Sequence, residues 1–278
     1  MSQHYQGENL QEARRRKNSA RHSYFQRERE RGAMVGRQQD AIDRLVTFLA
    51  KRDGIDKLVK TFQYIAKLAH WRLLASGRPS LVDRAKKWET SCGTSRKAFR
   101  TGRFLSGLNA LRSPYPNLCL QLLAVFSNGG EMVYFFFDHL LWLARIGLLD
   151  AHLAPRMSFI SAFGEGFGYI FFIIADLILI RKGLHAEKQL RAGLDSAIVK
   201  EREAEDSDGQ IKATMAKIRG IRVQRIMQFM AIAANLADLV IALAEVEPNP
   251  LCTHAFTLGI SGLVSAWAGW YRNWPSST

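Results

Sequence analysis

The chain has 278 residues, 47% of them apolar, enough for one large or two small cores, and its net charge of +14 calls for an anionic partner. Charged blocks alternate with strongly apolar ones, which selects a lipid surface over a nucleic-acid backbone. Cys92, Cys119 and Cys252 form no CxxC pair, which speaks against a zinc site or a disulfide framework and reads as free thiols in a reducing setting.

Residues 1–38 are rich in arginine, from Arg14 to Arg37, and nearly free of aliphatic side chains. Such a segment cannot bury enough apolar area to order itself and is expected to be a disordered basic tail. The first apolar run follows residue 40, so no cleavable secretory signal is expected. From there Ile42, Leu45, Val46 and Leu49, then Ile55, Leu58, Val59, Phe62 and Ile65, recur at helical spacing, with Asp53 as the expected N-cap between the two sets. Lys57, Lys60 and Lys67 occupy the other face, which reads as solvated. A break is expected at Gly77, Arg78 and Pro79.

Thr94 to Arg112 is the segment most suggestive of membrane contact. Thr101, Phe104, Leu105, Leu108 and Leu111 make one apolar stripe, with Arg96, Arg100 and Arg103 beside it. A continuous helix of this kind lies in a membrane interface with its stripe among acyl chains and its arginines at headgroups. The same stripe would equally pack on the preceding hairpin. Pro114 and Pro116 stop it.

Leu118 to Leu149 is apolar but interrupted by Asn128, Gly129 and Gly130, and as an isolated span Asp138 and Arg145 would cost it roughly 5 to 7 kcal/mol together at mid-bilayer. Arg145 is therefore expected to find an acidic partner, with Asp176 a candidate. Met157 to Ile180 carries only Glu165 and Asp176 as charges, and 24 residues suffice to cross a bilayer. Its small face contains Gly164 and Gly168, a GxxxG pair that admits a second helix closely. A charged loop is expected to follow. Met227 to Ala244 repeats the design with Asp238 on its small face. Leu251 to Tyr271 has no formally charged residue, carries the stripe Ser261, Ser265 and Gly269, ends in Trp267, Trp270, Tyr271 and Trp274, and reads as the cleanest span.

The expectation is an all-α protein: a basic tail over 1–38, amphipathic membrane-surface helices over 39–112, membrane-embedded helices over 113–183, a charged loop over 184–222 and C-terminal membrane helices over 223–274. No chemistry emerges. Asp138 and His139 are adjacent and point apart on a helix, and neither HExxH nor GxSxG spacing occurs, so no catalytic residue, metal or cofactor is expected.

Four groups of residues in order resemble the peroxin-11 family over about residues 40–272. They are Asp53, Gly54, Asp56, Lys57, Leu58, Gln63 and Tyr64 in KRDGIDKLVKTFQY; Arg96, Lys97, Phe99, Arg100, Phe104 and Leu105; Pro114; and Asp138, His139, Trp142, Arg145 and Gly147 in DHLLWLARIG. The resemblance implies insertion in the peroxisomal membrane, homo-oligomerisation, and bilayer bending by the amphipathic helix. It also implies recruitment of a tail-anchored fission adaptor and a dynamin-related GTPase. A channel for small metabolites is the alternative, suggested by Glu165, Asp176 and Asp238 on inward faces.

Overall fold

A computed structural model describes residues 41–200 and 208–275, with side chains described for 41–194 and 209–275. The expected basic tail over 1–38 lies outside the described residues. Helix α1 (Ala41–Leu49) begins in a first compact unit, which includes its residues up to Thr47. The second unit, Phe48–Trp274, contains α2 (Arg52–Leu73), α3 (Pro79–Phe99), α4 (Phe104–Leu111), α5 (Leu118–Arg145), α6 (Ala154–Lys200), α7 (Asp208–Val246) and α8 (Ala255–Asn273). No strand occurs among the described residues.

Local chemistry sets most of these boundaries. Gly77, left-handed at φ 65°, ends the 3₁₀ turn after α2, and Pro79 opens α3 at a position where its missing N–H costs nothing. Asn117 Oδ1 accepts from the Leu120 amide at 2.9 Å to cap α5. Lys51, rather than the expected Asp53, is the N-cap of α2; Asp53 lies in the first turn, where its charge complements the helix dipole.

Helices α5, α6 and α7 are long and apolar enough to cross a membrane. They run up, down and up. Ser161 Oγ donates to Tyr134 O at 3.1 Å, and the Gly164 and Gly168 backbones lie against Gly130, fixing α5 and α6 as antiparallel neighbours. The expected small face of α6 is thus used within the chain. A Cβ on Gly130 would stand 2.7 Å from Gly164 O and Gly168 N, so the backbones touch where the three glycines meet. Phe163, Phe167, Ile170 and Leu177 remain on the exposed side.

Four expectations change. Helix α5 runs unbroken through Asn128–Gly130: Asn128 Nδ2 bonds back to Ala124 O at 2.8 Å, and the glycines serve the crossing with α6. Most of the expected charged loop is helical, because α6 continues to Lys200 and α7 starts at Asp208. Leu251–Tyr271 is not among the helices long and apolar enough to span. Glycine, serine, threonine and tyrosine dilute the hydropathy of α8, whose small stripe is covered by α2. Finally, no ion pair joins Arg145 to Asp176 among the described residues: in antiparallel helices they fall at opposite ends, roughly 40 Å apart at 1.5 Å per residue.

Candidate functional site

The second unit buries several charged side chains among its apolar core residues and leaves many large apolar side chains exposed. Helix α2 lies between α3 and α8, with Tyr64, Leu68 and Lys57 against Gly262, Gly259 and Gly269 of α8. The lysine face expected to be solvated is the inward one. Lys60 Nζ is 2.6 Å from both Asp238 Oδ1 of α7 and Ser265 Oγ of α8, and Ser265 Oγ donates to Asp238 Oδ2 at 2.5 Å. Lys67 Nζ donates to Glu89 of α3 at 2.7 Å. In a medium without water each of these cations needs an anion, which is why the acids of α5 and α7 face inward.

A second cluster is built on Asp56, whose carboxylate accepts from Arg96 Nε at 3.2 Å and Arg100 Nε at 3.0 Å. Arg96 also donates to Gln63 at 2.7 Å. Arg100 continues to the Tyr134 hydroxyl of α5, and Lys97 pairs with Asp138 of the same helix. Burial alone would raise the Asp56 carboxyl, but Arg100 and Arg96 outweigh it and hold it well below the usual carboxylate range. Burial, with Lys60 adding repulsion, brings Lys57 down to about 7. These pairs fix the arm α2–α3 to α5 and α7, two of the helices able to span, and to α8.

Arg96 and Arg100, expected at lipid headgroups, therefore point into the bundle, each less than a tenth exposed. Arg103 pairs with Asp53 at 3.1 Å and lies over the Phe135 ring. The expected continuous helix is also divided. Gly102 adopts φ 73°, a left-handed conformation that costs glycine nothing, and the turn there separates α3 from α4. Helix α4 packs on α5 through Gly107 against Met132 and through Phe104, edge-on to Phe136 with ring centroids 6.2 Å apart. Leu105 and Leu108 are half exposed on the other side, and Leu111 is partly covered.

Of the expected packing residues, Gly164 and Gly168 meet α5, Asp238 and Ser265 join the Lys60 cluster, and Gly269 meets Lys57; Ser261 and Asp176 are half-buried. Sequence reading missed Lys60 as the centre of the first cluster and Asp56, Gln63 and Tyr134 as members of the second. The signal was the run of lysines on α2 three to seven positions apart, in a chain whose apolar helices carry a few acids each, Asp138 and Asp238 among them.

Residues 42–274 match the family described as Peroxisomal biogenesis factor 11 (PEX11). The chain belongs to the peroxin-11 family. Over 238 residues, 85% of its length, it is 62% identical to Peroxisomal membrane protein 11-4 of Oryza sativa subsp. indica, of which 98% is covered. It is 60% identical over 238 residues, again 85% of its length, to Peroxisomal membrane protein 11B of Arabidopsis thaliana, covering 99% of that protein. Over 242 residues, 86% of the chain, it is 38% identical to Peroxisomal membrane protein 11-3 of Oryza sativa subsp. japonica, 90% of which is covered. No solved structure matches the chain. With three helices among the described residues able to span a bilayer, it is a protein of the peroxisomal membrane.

Proposed function

We propose that the protein shapes and elongates the peroxisomal membrane and promotes peroxisome proliferation and fission, with α4 as the wedge. The observation that carries this reading is the half-exposed pair Leu105 and Leu108 on a short helix anchored to a spanning helix by Phe104 and Gly107. An apolar edge held beside a span at fixed depth enters one leaflet, expands it and favours curvature. Burying each leucine contributes about 1.5 to 3 kcal/mol. Arginines contribute by holding the arm rather than by gripping headgroups. Homo-oligomers, a tail-anchored fission adaptor and a dynamin-related GTPase belong to the same proposal as its partners. Since Gly164 and Gly168 are occupied by α5, self-association would use another face, and exposed Phe126, Phe163 and Phe167 offer one.

The test is reconstitution of the full chain into anionic liposomes at equal density, wild type beside Leu105→Glu/Leu108→Glu. Tubulation by the wild type alone, with both proteins retained in the bilayer, supports the wedge; equal tubulation rejects it.

A metabolite channel is a second reading, favoured by two polar cavities of about 210 and 230 Å³ that share Arg100, Tyr134 and Asp238 in their walls. Planar-bilayer conductance of the same preparation separates the two, and a conductance altered by Asp238→Asn would favour the channel.

A further inference from the structure

Where α6 and α7 leave the apolar layer, three guanidinium groups converge on one carboxylate. Glu187 Oε1 is 2.5 Å from Arg191 Nη2 and 2.7 Å from Arg222 Nε, and its Oε2 is 2.7 Å from Arg225 Nη1. Among the described residues, one negative charge among three positive ones leaves two uncompensated, and Lys188 adds a third. Beside the cluster lies a cavity of about 450 Å³ lined by Leu184, Glu187, Lys188, Arg191, Ala192 and Arg225. Its level matters. Leu184 follows the last residue of the apolar run, Ile180, by about 6 Å at 1.5 Å per residue, within a headgroup layer of about 5 to 8 Å, and Lys188, about 12 Å on, reaches back toward that layer because helical side chains tilt toward the N-terminus of their helix. Below the cavity, Ile170, Ile174 and Leu177 form an exposed apolar stripe on the face of α6 that continues through Arg181 and Leu184 to Lys188 and Arg191.

We propose that this cavity binds the anionic headgroup of a phospholipid whose acyl chain lies along that stripe. Phosphate oxygens would take the donors of Lys188, Arg191 and Arg225 that Glu187 leaves unused, in the manner of basic pockets between membrane helices. Glu187 has the positioning role: it holds the arginines of two helices at one point, so that the site is formed before the lipid arrives. The site is separate from α4 and does not depend on the wedge.

The experiment measures binding of dioctanoyl phosphatidic acid, dioctanoyl phosphatidylcholine and inorganic phosphate to the full chain in neutral detergent micelles. Wild type is compared with Lys188→Gln/Arg191→Gln and with Lys217→Gln/Arg219→Gln, a charge-matched pair that does not line the cavity. Arg222 and Arg225 stay on Glu187 in both variants, and circular dichroism verifies that each retains its helix content. The first pair is expected to weaken phosphatidic acid binding about thirtyfold, the equivalent of about 1 kcal/mol for each cation removed. The second pair changes it less than threefold. Equal losses in the two pairs, equal binding of phosphatidylcholine, or inorganic phosphate bound as tightly as the lipid would each overturn the proposal.

Discussion

Lys60 Nζ lies 2.6 Å from Asp238 Oδ1, joining the N-terminal arm to a membrane-spanning helix across 178 positions of sequence. Both side chains are buried, and Ser265 completes the triad from α8. Removing Lys60 or Asp238 alone leaves a bare charge inside the bundle, which costs more than removing both.

Asp238→Ala is therefore expected to destabilise the protein by about 3 to 5 kcal/mol, and Lys60→Met/Asp238→Leu by much less. Unfolding midpoints in detergent measure this. A double variant no better than Asp238→Ala would mean that the pair does not act as a unit.

The neighbours Gly129 and Gly130 should respond oppositely to alanine. A Cβ on Gly130 meets α6 backbone at 2.7 Å and must push the helices apart, whereas a Cβ on Gly129 has nothing within 4 Å. Overpacking costs roughly 1 to 3 kcal/mol, while alanine for glycine in a helix gains up to about 1 kcal/mol. Thermal scans of the two single variants should shift in opposite directions; a matching shift would refute the crossing geometry.

These contrasts mark what the sequence made legible. Helix class, the small face of α6 and the membrane character follow from periodicity and composition, which are local properties. The inward turn of Lys60, Arg96 and Arg100 was not legible, because helical spacing says which residues share a face but not what covers it. Arginines beside an apolar stripe look alike whether headgroups or Asp56 await them. Asp56 and Arg100, 44 positions apart, meet only once α2 and α3 fold antiparallel. Nor does periodicity show that Gly102 adopts a positive φ and makes the turn between α3 and α4.

Lys57 predicts the alkaline behaviour. Its ammonium is held near 7 by burial and by Lys60, against an ordinary value of 10.5. The unfolded chain therefore binds more protons between pH 7 and 10.5, so this residue's contribution to stability rises with pH through that window. Lys57→Met should flatten the profile there. Unfolding midpoints at pH 7, 8 and 9 test it, and an unchanged slope in the variant would reassign the effect.

The most direct test of the account asks whether the arginines of α3 serve the bundle or the membrane surface. Arg96→Gln/Arg100→Gln leaves Asp56 buried with only Lys57, 3.8 Å away, as a cationic neighbour, so the account predicts a large fall in unfolding midpoint. Preference for anionic over zwitterionic lipid, measured on protein kept below that midpoint, should be unchanged. A double variant of normal stability that has lost its anionic-lipid preference would contradict the account.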